Sequence, residues 1–178
     1  MKNISLFIFT MLFVMISCEK DHVHASDHET ITVFKYILTA PDGSQSSFIY
    51  EDYDGEGGNA GRKTVSILKA NTSYTGRIEL YTGDSGKLTQ ITDNIKSDGV
   101  HHEFFYQFNT IGAPTVSKTD VDANNNPLGI NTSFNTTNSG IFPLTIILRH
   151  HPKKPNTSLQ TAGGDTDVEV VFDVNVIQ

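Results

Sequence analysis

The chain has 178 residues, 13 Lys+Arg against 20 Asp+Glu, one Cys, no Trp and a formal charge of −7. That length serves one domain with a substantial core, and the acidic balance excludes nucleic acid as a partner, because phosphate binding needs a basic stripe. A single cysteine excludes a disulfide framework and any multi-thiolate metal site, and a charged fraction of only 19% excludes a disordered chain.

Lys2 precedes an apolar run from Ile4 to Ile16, followed by Ser17-Cys18. A basic start with an apolar run of about 13 residues is too short to span a bilayer, which takes about 20. Met15-Ile16-Ser17-Cys18 resembles a bacterial lipobox, with Met where Leu is usual. Residues 1–17 are therefore predicted to be a lipoprotein signal peptide, with Cys18 lipidated as the first residue of the mature chain. Several acyl chains on one residue anchor firmly, so the membrane is an expected partner. Residues 18–29, Cys-Glu-Lys-Asp-His-Val-His-Ala-Ser-Asp-His-Glu, are polar without an apolar period and read as a flexible His/Asp-rich tether. Acidic residues just after the cysteine resemble the surface-export signal of Bacteroidota lipoproteins. The expected location is thus the outer membrane, facing the periplasm or the surface.

Residues 30–178 read as one β domain. Val168, Val170, Phe172, Val174 and Val176 alternate with Asp167, Glu169, Val171, Asp173 and Asn175, the period of a strand with one buried face. Leu144, Ile146 and Leu148 alternate in the same way with Thr145, Ile147 and Arg149. Further strands are predicted at 31–39, 46–51, 64–69, 74–81, 103–108, 114–119 and 129–135, separated by turn signals such as Pro41-Asp42-Gly43, Asp84-Ser85-Gly86 and Asn138-Ser139-Gly140. About eight to nine short strands of this kind predict an all-β, antiparallel immunoglobulin-like sandwich. Leu88, Ile91 and Ile95 are spaced i, i+3, i+7 and predict one short helical crossover between the sheets. No strand–helix alternation is present, which argues against a parallel α/β sheet.

All seven histidines fall into three clusters: His22, His24 and His28 on the tether, then His101-His102, then His150-His151. Imidazole is a common ligand for zinc and copper, and a site needs three or four converging donors. Flexible tether ligands suit capture of an ion, whereas the two pairs stand at predicted strand ends. His102 shares the phase of Phe104, Tyr106 and Phe108, and His150 continues that of Leu144, Ile146 and Leu148. They converge only if both strand ends lie at one pole of the sandwich. The competing reading is that His102 and His150 are hydrogen-bonded core caps, with His101 and His151 solvated.

Other chemistries find little support. Asp52 to Gly58 and Asp120 to Asn124 are acidic around turns, but neither matches a calcium loop of six to eight oxygens, so calcium is not expected. Gly57 to Thr64 lacks the spacing and helix of a phosphate-binding loop. No Gly-x-Ser-x-Gly elbow and no His-Glu-x-x-His helix occurs, so a non-enzymatic protein is predicted.

The chain resembles a family of small lipoproteins from Flavobacteria and related Bacteroidota. The residues that carry the resemblance are Glu51-Asp52-Tyr53-Asp54-Gly55, Ala70 to Gly76, Ile78-Glu79-Leu80, His102-Glu103-Phe104-Phe105-Tyr106, Asn126-Pro127-Leu128-Gly129, Leu148-Arg149-His150 and Ala162 to Val168. The likeness covers nearly all of the mature chain, including the His/Asp-rich tether. Family members are often named automatically as "type 1 periplasmic binding fold" proteins, a label that implies a two-lobed α/β fold of about twice this length. The strand pattern here contradicts that fold. Relatives tend to be strongly acidic before the His-Phe-Phe motif, whereas this chain has Asp93-Asn94-Ile95-Lys96-Ser97-Asp98-Gly99, which implies weaker cation binding there.

Together these features predict a lipid-anchored envelope protein that binds a transition metal, zinc or copper with zinc favoured, for uptake or buffering beside an outer-membrane receptor. The alternative is a metal-independent surface module that binds a receptor, glycan or envelope protein through exposed aromatics such as Tyr50, Tyr53 and Tyr81.

Overall fold

The structure is a computed structural model that describes residues 30–55 and 57–178. The predicted signal peptide, Cys18 and the tether histidines His22, His24 and His28 lie outside the described residues. Among the described residues eleven strands form two sheets that face each other. The first sheet contains β1 (Val33–Thr39), β2 (Gln45–Glu51), β3 (Arg62–Val65), β5 (Ser73–Asp84), β6 (Lys87–Gln90), β8 (Thr115–Lys118) and β9 (Asn131–Asn135), in the order β3-β2-β1-β5-β9-β8 with β6 paired to β5. The second contains β4 (Leu68–Lys69), β7 (His102–Phe108), β10 (Gly140–His150) and β11 (Asp165–Ile177), in the order β4-β11-β10-β7. All pairings are antiparallel except β4 with β11. The predicted all-β sandwich is thus the fold.

Alternation explains why the layers stack. Phe34, Tyr36 and Leu38 of β1, Phe48 of β2, and Ile78 and Leu80 of β5 turn inward, opposite Phe104, Leu144, Ile146, Leu148, Val170, Phe172 and Val174. Their burial removes apolar surface from water at about 25 cal/mol per Å². Aromatic edges interlock across the layers, as between Phe34 and Phe104 (6.4 Å) and between Tyr36 and Tyr106 (5.6 Å). The Tyr36 hydroxyl is hydrogen-bonded to Thr132 Oγ1 at 2.6 Å, and burial pushes its pKa well above the ordinary tyrosine value despite that bond.

Two sequence expectations need correction. The predicted strand 64–69 is two strands in different sheets, because Val65 pairs with Phe48 whereas Leu68 pairs with Val176. Leu88 is not helical: it lies on the added strand β6, opposite Gly83. The helix is only α1 (Thr92–Ser97), held by buried Ile91 and Ile95 and by Leu80 N donating to Thr92 Oγ1 at 2.8 Å. It still makes the expected crossover between the sheets. A second short helix, α2 (Leu159–Ala162), covers the outer face of the second sheet at Phe105 and Ile147.

Candidate metal centre

The end of α1 positions the first donors. Asp98 closes the helix, and a 3-10 turn over Gly99–His101 delivers the chain into β7. That turn sets Asp98 and His102 four residues apart on one side, with His102 Nδ1 at 3.0 Å from the Asp98 carbonyl oxygen and 3.4 Å from its Oδ2. A carbonyl only accepts, so His102 donates from Nδ1 and its neutral ring carries the lone pair on Nε2. His101 Nδ1 lies 2.8 Å from Asp98 Oδ1, with its side chain half exposed. It belongs to the 3-10 turn that leads into β7.

Strand register brings the second pair to the first. In the β7–β10 ladder His102 sits directly opposite His150, and their rings stack at 4.6 Å with planes 17° apart. His151 leaves the strand with φ of 51° and donates its amide to His101 O at 2.7 Å. Its ring stacks on His150 at 4.1 Å and lies 5.0 Å from His101. The four domain histidines therefore converge at one pole, with His102 and His150 buried and His101 and His151 exposed. Burial pushes the His102 imidazole below its ordinary pKa, against the opposing effect of the bond to the Asp98 carbonyl, which favours the neutral, ligand-competent ring.

Two carboxylates that sequence reasoning did not assign complete the pole. One ligand atom each from Asp98, His102 and His150 lie within 4.8 Å of one another, a group that could hold a metal ion. The second is Asp167, with no side-chain exposure. Its Oδ2 is 3.7 Å from His102 Nε2 and its Oδ1 3.5 Å from His150 Nδ1. Alternation placed Asp167 on the outer face with Glu169, but the β10–β11 register jumps from Leu148↔Val168 to Arg149↔Thr166. Asp167 is the extra residue of that bulge, and such irregularities re-aim side chains.

A buried cation supports the turn from behind. Lys154 Nζ donates to Gly99 O (2.8 Å), to Asp122 Oδ2 (3.0 Å) and to the His102 carbonyl. On the outer face of β7, buried Glu103 accepts from Lys118 Nζ and from Asn156 Nδ2 (2.6 Å) beside a cavity of about 500 Å³ lined in part by Phe105, Val116 and Leu159.

The other sequence candidates are engaged locally. Asp52 Oδ1 accepts from Gly55 N, Asp54 Oδ2 from Asn59, and Asp122 Oδ1 from the amides of Asn124 and Asn126, so these carboxylates stabilise their own turns. The hydroxyls of Tyr50, Tyr53 and Tyr81 donate to Asp52, Glu51 and Glu79.

The fold and the pole together define an all-β sandwich with a histidine–aspartate cluster that could hold a metal at the end of its smaller sheet. No family model, no curated protein and no solved structure matches the chain.

Proposed function

We propose that this protein is a lipid-anchored, non-enzymatic envelope protein that binds a transition metal, zinc by preference, for uptake or buffering at the outer membrane. The observation that carries the reading is the grouping of Asp98, His102 and His150 donors within 4.8 Å on a directly paired strand position. Imidazole nitrogen with carboxylate oxygen is a zinc donor set, and no thiolate is required. Support for the anchor and location comes from the lipobox-like sequence ending at Cys18 and from the resemblance to Bacteroidota lipoproteins.

β1 begins at Val33 opposite Tyr81, one residue from Leu80, whose amide is bonded to Thr92 of α1. The chain therefore enters the domain at the end that α1 and Asp98 occupy. His22, His24 and His28 would capture the ion, and the domain cluster would hold it.

Calorimetric titration with zinc and copper of a soluble form starting at Glu19, beside one starting at Thr30, tests this reading. Micromolar or tighter zinc binding is expected in both, and its loss in the His102→Ala/His150→Ala variant of the shorter form. Binding confined to the longer form would remove the domain cluster from the reading, and absence of heat in both would leave the metal-independent interaction module.

A further inference from the structure

The pole offers an ion two sides of the His102 ring, and they are not equivalent. Nδ1 is committed, because it donates to the Asp98 carbonyl at 3.0 Å. Nε2 carries the lone pair, is buried and makes no hydrogen bond. It faces Asp167, whose two carboxylate oxygens lie 3.7 Å from His102 Nε2 and 3.5 Å from His150 Nδ1.

Both separations exceed the 2.7–3.2 Å range of an N–H···O bond. They match the edge of a coordination polyhedron instead, since two donors each about 2.1 Å from one zinc ion at tetrahedral angles are about 3.4 Å apart. Metal-binding histidines typically donate their other ring N–H to a carbonyl or carboxylate, which fixes the tautomer. The bond from His102 Nδ1 to the Asp98 carbonyl is that arrangement.

We propose that Asp167 is a metal ligand, sharing one ion with His102 Nε2 and His150 Nδ1, and that Asp98 is a positioning residue that holds His102 and His101 in place. The proposal rests on the metal-binding reading above. It assigns the site two imidazoles and one buried carboxylate, a set that leaves a coordination position for water or an incoming donor. A captured ion then has a route of exchange, because a tether imidazole can occupy that position while the ion is handed on.

The test uses the full chain in detergent, with His22→Ala, His24→Ala and His28→Ala so that only the domain histidines bind. Nitrogen-15 NMR of the imidazoles during zinc titration should show coordination at His102 Nε2 with the Nδ1 proton retained. Calorimetry should show zinc affinity falling at least 100-fold in Asp167→Asn and about tenfold in Asp98→Asn. Coordination at His102 Nδ1, or a larger loss in Asp98→Asn than in Asp167→Asn, overturns the assignment while leaving metal binding intact. No zinc binding by the parent protein overturns both. The NMR result decides the question even where Asp167→Asn does not fold.

Discussion

At the scale of single residues, the pole is held by charges placed where water cannot reach them. Lys154 and Asp122 have side-chain exposures of 5% and 0%, so their pairing is retained by the cost of breaking it rather than by its net attraction. Asp122→Asn leaves the Lys154 ammonium buried with only amide and carbonyl partners, and should cost about 3 kcal/mol at neutral pH. Burial acts to raise the Asp122 pKa, but hydrogen bonds from the Asn126 and Asn124 amides and from Lys154 overcome it and hold the carboxyl below its ordinary value. With a depressed folded value, the unfolded chain takes the proton first as pH falls. The contribution is therefore complete above the unfolded carboxylate pKa of about 4 and disappears as pH drops through the lower folded value. Urea unfolding of native protein and Asp122→Asn at pH 7 and pH 3 should show the difference between them shrinking at pH 3. An equal difference at both values would count against the ionised pair.

At the scale of elements, the β10–β11 connection decides where His150 and His151 stand. Gly164 has φ of 72°, and a Cβ there would lie 2.3 Å from the His150 carbonyl oxygen. Its lack of a side chain lets the returning strand close against the two histidines. Gly164→Ala combines left-handed strain with a backbone clash, each worth about 1–3 kcal/mol. It should lower the unfolding midpoint and weaken zinc binding together; a destabilised variant with unchanged zinc affinity would disconnect the turn from the site. The same connection shows what local sequence could reveal. Alternation in 144–148 and 168–176 was legible because each strand turns one apolar face into the core, although α2 covers Ile147 on the other face, and His102 and His150 were legible as donors that a strand ladder could align. Asp167 was not, because simple alternation assigns it outward and only the register jump at Leu148/Arg149 turns it in. Leu88 misled for a related reason: three apolar residues at helical spacing cannot distinguish a helix from the strand–helix junction that places Leu88 on β6 and Ile95 on α1. The split at Val65 and Leu68 depends on a parallel pairing of β4 with β11, a contact between residues more than a hundred apart in the chain.

At the scale of the whole molecule, an ion at the pole would add a further link between elements already joined by strand ladders, the core and the bonds of Lys154 and His151. Asp98 follows α1, His102 opens β7, His150 ends β10 and Asp167 lies two residues into β11, so three of the four strands of the second sheet meet there. Among the described residues β7 is an edge strand paired with β10, so an ion shared with β10 and β11 would hold it on a second side. A ligand that binds only the folded state stabilises it by RT ln(1 + [L]/Kd), about 2.7 kcal/mol at a hundredfold excess over Kd. For a domain of this size each kcal/mol moves the melting temperature by about 2–4 °C, so saturating zinc should raise it by roughly 5–10 °C. A chelator should reverse the rise, and His102→Ala should abolish it. Hydrogen exchange gives the same prediction spatial content. Zinc should slow amide exchange chiefly in 98–108, 145–150 and 165–170, and little in β3 or β8, which lie at the two ends of the other sheet. Protection spread evenly over both sheets, or a thermal shift that survives in His102→Ala, would mean that the ion binds elsewhere and that the buried histidines serve the core.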